Sequence, residues 1–268
     1  MPRALAAFAA FISKADGLQL QPVKNDPITR RRPDIVRSTD RDANATVGLS
    51  PALISRAEVQ EWLKPDWSSG GYASTTEAGN FSLAQLADDV LVVADAAGLE
   101  KFAIAGVSLG GMIAMELALC SPERVERLML VCTSATMDSA AWSDRVAKVR
   151  DEGMAGIVDL AMGRFLSDAA ELAIFETVRR QFLAMDSEGY AGCGAAIRDM
   201  DIAGRISGIV SPTLVVTGTR DTSTPFEPHG AFLVAQIPGA ITQSVEAAHL
   251  APLETPEPLA KMLNTFLR

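Results

Sequence analysis

The sequence predicts an α/β fold, a doubly wound and mostly parallel sheet with a helical cap inserted after the strand that follows the central helix. Three observations carry this. From about residue 82 onward, short apolar runs alternate with helix-length amphipathic segments, the pattern of strands joined by crossover helices. Residues 134–204 interrupt the alternation with helical spacing throughout and no strand signal. The stretch Gly106-Val107-Ser108-Leu109-Gly110-Gly111 joins an apolar run directly to a helix-forming one through a glycine-rich turn.

In chain order, residues 1–80 are the least patterned. Arg3 precedes an apolar run over residues 4–12. It has the length of a short secretory core, but no small-residue cleavage site follows, so it is not read as a leader. Asp16-Gly17-Leu18 reads as a turn into a strand. Between residues 21 and 65 only Ile35-Val36 and Thr46-Val47 have strand character, and the Arg30-Arg31-Arg32-Pro33 cluster reads as loop. So long a stretch without periodicity is unusual inside a compact domain. Order resumes near Tyr72. Ser82 and Gln85 are spaced as a capping box. The helix they open carries Leu83, Leu86, Val90 and Val93 on one face, with Gly98 as its stop. A strand over 101–105 and a helix over 112–119 flank the glycine-rich turn. Ser121-Pro122 ends that helix, and residues 125–132 form the next strand. Apolar positions recur at three and four in 154–165 and 170–183, as buried helix faces require. Strands return at 213–217 and 241–245, with a helix over 228–236 between them and an amphipathic helix over 250–267 at the end. The expected division is a core of residues 1–133 and 205–268, atypical over 1–71, and a helical cap of 134–204.

The chain is long enough for a large single core. A net charge of −9 argues against nucleic acid or an anionic membrane as partner, and no apolar run approaches a membrane span. The first 80 residues hold 10 Lys+Arg against 9 Asp+Glu, so the negative charge sits in the remainder. Cys120, Cys132 and Cys193 are odd in number and lack metal-ligand spacing, which suggests reduced thiols and a cytoplasmic location. With two histidines and no ligand cluster, neither a metal nor a cofactor is expected; the expected partner is a small-molecule substrate, and oligomeric state is left open.

A G-x-S-x-G between a strand and a helix is the nucleophile elbow of the α/β-hydrolases. The serine sits at the apex of a strained turn, and the flanking glycines let two backbones pass without Cβ clashes. An alcohol is a poor nucleophile near neutral pH, so Ser108 needs a base. His249 follows the last strand and Asp221 the strand before it. Ligands gather at the carboxyl ends of strands in such sheets. The order Ser, Asp, His is that of this fold. Ser108 is therefore the expected nucleophile, His249 the base, Asp221 the group that orients it, and the Leu109 backbone N–H one oxyanion donor. His229, at the start of a helix, is read as structural.

Residues from about 72 to 267 resemble the 3-oxoadipate enol-lactonases of aromatic-acid catabolism. The likeness rests on Ser82-Leu83-Ala84-Gln85-Leu86-Ala87-Asp88-Asp89-Val90, on the elbow, on Gly189-Tyr190-Ala191-Gly192-Cys193, on Ala196-Ile197-Arg198-Asp199-Met200-Asp201, on Pro212-Thr213-Leu214-Val215 and on Ala247-Ala248-His249-Leu250. It implies cofactor-free hydrolysis of a small acidic enol-lactone to 3-oxoadipate, with Trp142 and Arg145 as the cap pair that receives the substrate carboxylate. The alternatives are a carboxylesterase or haloperoxidase-type perhydrolase with the same triad, or a hydrolase fold impaired at its N-terminal third. A haloalkane dehalogenase is disfavoured, since it needs a carboxylate where Ser108 stands. Residues 21–71 depart from the family pattern. The loop that supplies a second oxyanion donor has no counterpart, and Trp67-Ser68-Ser69-Gly70-Gly71-Tyr72-Ala73-Ser74 only scrambles the expected Asp-x-Arg-Gly-x-Gly-x-Ser run. Loss of the strand beside the elbow strand would leave a sheet edge open. A shifted reading frame over residues 21–71, or a decayed gene copy, is the hypothesis for this departure. Translating the gene in its other frames tests it, because no frame containing the missing patterns would end that explanation.

Overall fold

A computed structural model of the chain describes residues 10–14, 45–48, 79–96 and 99–266. The turn at Asp16, the candidate Ile35-Val36, the arginine cluster, the scrambled run at Trp67 and the helix stop at Gly98 lie outside the described residues. Among the described residues six strands form one sheet: β1 (Ala10–Lys14), β2 (Ala45–Gly48), β3 (Phe102–Val107), β4 (Val125–Val131), β5 (Thr213–Gly218) and β6 (Ile241–Val245). Their order is β2-β1-β3-β4-β5-β6. The pairs from β3 to β6 are parallel. β1 runs antiparallel to β3, with Ile12 opposite Ile104, and β2 runs antiparallel to β1. β1 thus lies along the edge of the elbow strand that loss of its neighbour would leave open. The candidate at Thr46-Val47 falls inside β2.

The central strands are apolar almost throughout because both faces of the sheet are covered. Side chains alternate between the faces at period two. Ile104, Leu128, Leu130 and Val215 join one buried cluster, with Leu86 and Val90 of α1 (Leu83–Ala96) and Met112 and Met115 of α2 (Leu109–Cys120). Ala105, Val107, Met129, Val131, Leu214 and Val216 face the other cluster, which Leu259 and Leu263 close. β6 is one edge of the described sheet, and its first four residues are solvent-facing; three of them, Thr242, Gln243 and Ser244, are polar, as an edge strand tolerates. At the start of α1 the capping box is complete: the Ser82 N–H donates to Gln85 Oε1 at 2.9 Å and the Gln85 N–H donates to Ser82 Oγ at 3.2 Å.

Between β4 and β5 the described chain is helical: α3 (Ser139–Glu152), α4 (Val158–Phe165), α5 (Leu172–Leu183) and α6 (Ser187–Arg198). Asp138 caps α3, accepting from the Ala140 and Ala141 N–H groups, and Asp186 caps α6 through the Gly189 N–H. Val149, Phe165 and Phe182 of this insert belong to the same buried cluster as Leu109 and Met112 of the elbow helix, so insert and core share one apolar interior.

The helix expected over 228–236 is present: Glu227 is extended, with φ −96° and ψ 123°, as the residue before a proline tends to be, and the helical turn that Pro228 opens runs on as α7 (Ala231–Gln236). One expectation at the C-terminus needs correction. The closing helix is two helices, α8 (Ala251–Glu254) and α9 (Pro256–Phe266). Pro256 offers no N–H and restricts Thr255, which turns out of the helix at φ −135° and ψ 58°. Among the described residues no helix is long and apolar enough to cross a membrane.

Candidate active site

Ser108 links β3 to α2 with φ 52° and ψ −119°, a conformation that costs a non-glycine residue about 1–3 kcal/mol. The surroundings fix it. Its N–H donates to Val131 O at 3.0 Å, and its carbonyl accepts from the Gly111 and Met112 N–H groups at 2.9 and 3.1 Å. Thr133 Oγ1 donates to the same carbonyl at 2.6 Å. A Cβ on Gly106 would stand 2.2 Å from the Gly110 carbonyl carbon and oxygen, which is the close passage expected of the elbow. A Cβ on Gly111 would stand 2.6–2.7 Å from the Thr133 side chain, a requirement the motif alone does not reveal. Leu109 opens α2, where the backbone N–H has no acceptor within the helix.

The loops after β5 and β6 bring Asp221 and His249 to this end of the sheet. Both are buried. His249 Nε2 lies 2.8 Å from Ser108 Oγ, and His249 Nδ1 lies 2.9 Å from Asp221 Oδ2. Asp221 also accepts from the Ser223 N–H at 2.7 Å, the Thr224 N–H at 3.1 Å and Thr224 Oγ1 at 2.8 Å. Burial pushes the Asp221 carboxyl up, but the hydrogen bond and charge of His249 with the Thr224 donors outweigh it, and the group is held down at about 2. An ionised Asp221 accepts a hydrogen bond from Nδ1–H, which leaves the Nε2 lone pair facing the serine hydroxyl. The Phe165 ring stacks on the imidazole at 5.8 Å between centroids.

His229 pairs elsewhere. Its Nδ1 is 2.7 Å from Ser134 Oγ, which itself donates to Thr136 O at 2.6 Å, so the imidazole donates to the serine. Burial lowers its pKa against the opposing pull of Asp221. The contact ties the loop after β4 to the turn after β5. Cys132, in that loop, is buried with φ 44°; burial and the nearby Asp221 charge push its thiol well up. Cys193 is also buried, whereas Cys120 is exposed at the end of α2.

A cavity of about 140 Å³ opens over Ser108 and His249. Trp142, Arg145 and Ile197 of the insert line it, as do Arg164 and Phe165 of α4. The Arg145 guanidinium carbon is 4.9 Å from the centre of the Trp142 ring and 5.6 Å from that of Tyr190, and both faces attract a cation. Among the described residues, Arg145 Nε and Nη2 and Tyr190 Oη are buried with no partner at hydrogen-bond distance. Burial raises the Tyr190 hydroxyl to about 12, with the Arg145 charge opposing. Among the described residues the cavity wall has two arginines and no carboxylate. No group of His, Cys, Asp and Glu among the described residues is arranged to hold a metal.

Sequence reasoning missed Arg164, Thr133 and Thr224. Thr224 leaves a local signal, since an Asp with a Thr three residues on is a common turn cap. Arg164 leaves none, because only the packing of the insert on the core decides which arginines face the cavity. The loop expected to give a second oxyanion donor lies outside the described residues.

Residues 53–256 match the family model described as the alpha/beta hydrolase fold. The chain is 30% identical to 3-oxoadipate enol-lactonase 2 of Acinetobacter baylyi, over 70% of this chain and 72% of that protein. Among solved structures it is similar to the enol-lactonase from Burkholderia xenovorans LB400, at 30% identity and a TM-score of 0.69 over 72% of this chain and 75% of that one. It is also similar to a hydrolase from Pseudomonas aeruginosa PA01, at 35% identity and a TM-score of 0.67 over 71% and 74% of the two chains.

Proposed function

The chain belongs to the alpha/beta-hydrolase family, and on that premise we propose that it is a serine hydrolase of small anionic lactones, with 3-oxoadipate enol-lactone as its substrate. One observation carries the reading. The Ser108–His249–Asp221 chain of hydrogen bonds and two guanidinium nitrogens of Arg145, unpartnered among the described residues, border one small cavity. Buried donors of a charged group left without an acceptor are costly, and a substrate carboxylate would satisfy them. Residues 134–204 then act as the cap that carries the specificity, and residues 1–133 with 205–268 as the core that carries the chemistry.

In the proposed reaction His249 Nε2 takes the Ser108 proton as Oγ attacks the lactone carbonyl. Asp221 stabilises the imidazolium without taking its proton. The Leu109 N–H donates to the oxyanion. The ring C–O bond breaks, the enolate leaves and is protonated by His249, and the enol tautomerises to the ketone. Water, deprotonated by His249, then attacks the acyl-serine, and the carboxylate departs as Ser108 regains its proton. Arg145 and Trp142 hold the remote carboxylate throughout, and the chemistry requires no cofactor. Three free thiols suit a reducing compartment, and we place the reaction in the cytoplasm.

A carboxylesterase or perhydrolase with the same triad has no use for Arg145, and that separates the readings. Arg145→Gln is expected to raise KM for the enol-lactone roughly 10–100-fold, the loss of a charge-assisted contact of about 1.5–3 kcal/mol. Hydrolysis of p-nitrophenyl acetate, which has no carboxylate, should be unchanged. Equal losses on both substrates, or none on either, would overturn the anionic-lactone assignment.

A further inference from the structure

Glu254, in the last position of α8, transfers no proton in this reaction. Its carboxylate nevertheless accepts three hydrogen bonds: Oε1 from the Ser167 N–H at 2.6 Å, and Oε2 from Ser167 Oγ at 2.9 Å and from the Ala248 N–H at 3.2 Å. Ser167 lies just beyond the end of α4, and Ala248 immediately precedes His249. On the other side of the imidazole-bearing residue, the Leu250 N–H donates to Phe165 O at 2.9 Å. That carbonyl belongs to the last turn of α4, where it has no acceptor role within the helix. The Phe165 ring lies over the imidazole with 24° between the planes. The backbone before and after His249 and one face of its ring are therefore all tied to the C-terminal end of α4.

We infer that Glu254 is a positioning residue for His249, the clasp by which the helical insert sets the distance between the imidazole and Ser108. A displacement of α4 carries the 248–250 backbone with it, and Nε2 then leaves the Ser108 hydroxyl. Closure of the insert over a substrate and placement of the base become one event. The contacts to Ser167 and Ala248 need an acceptor at both carboxylate oxygens. A carboxamide offers only one, and its NH₂ group opposes the Ala248 N–H or the Ser167 donors. The chemistry is sensitive to such shifts, since about 1 Å of misplacement by a remote change can cost a hundredfold.

This inference rests on the serine-hydrolase reading, and the test separates the two. Purified wild type, E254Q and Ser167→Ala are compared at a temperature well below their melting points. The readouts are the rate of covalent labelling by a small fluorophosphonate and kcat and KM on p-nitrophenyl acetate. E254Q is expected to slow labelling and lower kcat by about tenfold or more with KM nearly unchanged. Ser167→Ala, which removes one of the three bonds, should shift both in the same direction by less. Glu254→Asp, which restores two acceptor oxygens on a shorter arm, should recover part of the loss. Wild type that does not label would defeat the serine-hydrolase reading itself. Wild type that labels at the same rate as a folded E254Q or Ser167→Ala would defeat the clasp, as would a fall in melting temperature with kcat intact.

Discussion

Ser108→Ala is expected to lower kcat about a million-fold, the effect of removing a nucleophile from a working triad, with the fold retained. The hydroxyl makes its contact with His249 Nε2, whereas the main-chain bonds to Val131, Gly111, Met112 and Thr133 hold the turn whatever the side chain is. Alanine suffers the same crowding as serine at φ 52°, so the variant should melt close to wild type. Ser108→Gly separates strain from chemistry. It is expected to be equally inactive yet more stable by about 1 kcal/mol or more, because glycine occupies this region freely. Steady-state hydrolysis of the enol-lactone together with thermal melts checks both expectations. Retention of more than a few per cent of the wild-type rate in Ser108→Ala would remove Ser108 from the reaction.

Asp221→Asn is expected to lower kcat about ten-thousand-fold, since an amide at this place favours the wrong imidazole tautomer. The Ser223 and Thr224 N–H donors and Thr224 Oγ1 all point at Asp221 oxygens. An amide oxygen still accepts from one side, so the fold should survive. The substitution also has a signature in acid. The Asp221 carboxyl is held at about 2, against about 3.9 for an unstrained aspartate. A depressed folded-state value means stability that is fully present above about pH 4 and is lost as pH falls toward 2, of order 2 kcal/mol in all. Wild type should therefore lose melting temperature between pH 4 and pH 2 more steeply than Asp221→Asn. Parallel curves would mean that the buried carboxylate does not contribute in this way.

The parts of this site that the sequence reveals are those built by local chain chemistry. Gly106 and Gly110 flank Ser108 because two backbones touch there, and that contact is written in adjacent residues. Ser82 and Gln85 form their box within one turn of helix. Asp221 and His249 can be placed because each directly follows an apolar run long enough to be a strand, and strand ends in a parallel sheet share one rim. What stays illegible depends on packing between distant segments. Arg164 resembles any exposed helix arginine until α4 is laid against the core. Thr133 becomes necessary to the elbow only once β4 lies beside β3. The pairing of β1 with β3 joins residues some ninety positions apart in opposite directions, and an apolar run such as residues 4–12 does not show which neighbour it will choose. The break before Pro256 was legible in principle, but the amphipathic spacing on both sides hid it.

The proposed reaction depends on one hydroxyl being made reactive by the groups gathered around it. Mapping the site of a stoichiometric fluorophosphonate adduct by peptide mass spectrometry tests that most directly. One adduct per chain is expected, on the peptide that contains Ser108, and none after Ser108→Ala or His249→Ala. An adduct on another residue, or one that persists in folded Ser108→Ala protein, would contradict it.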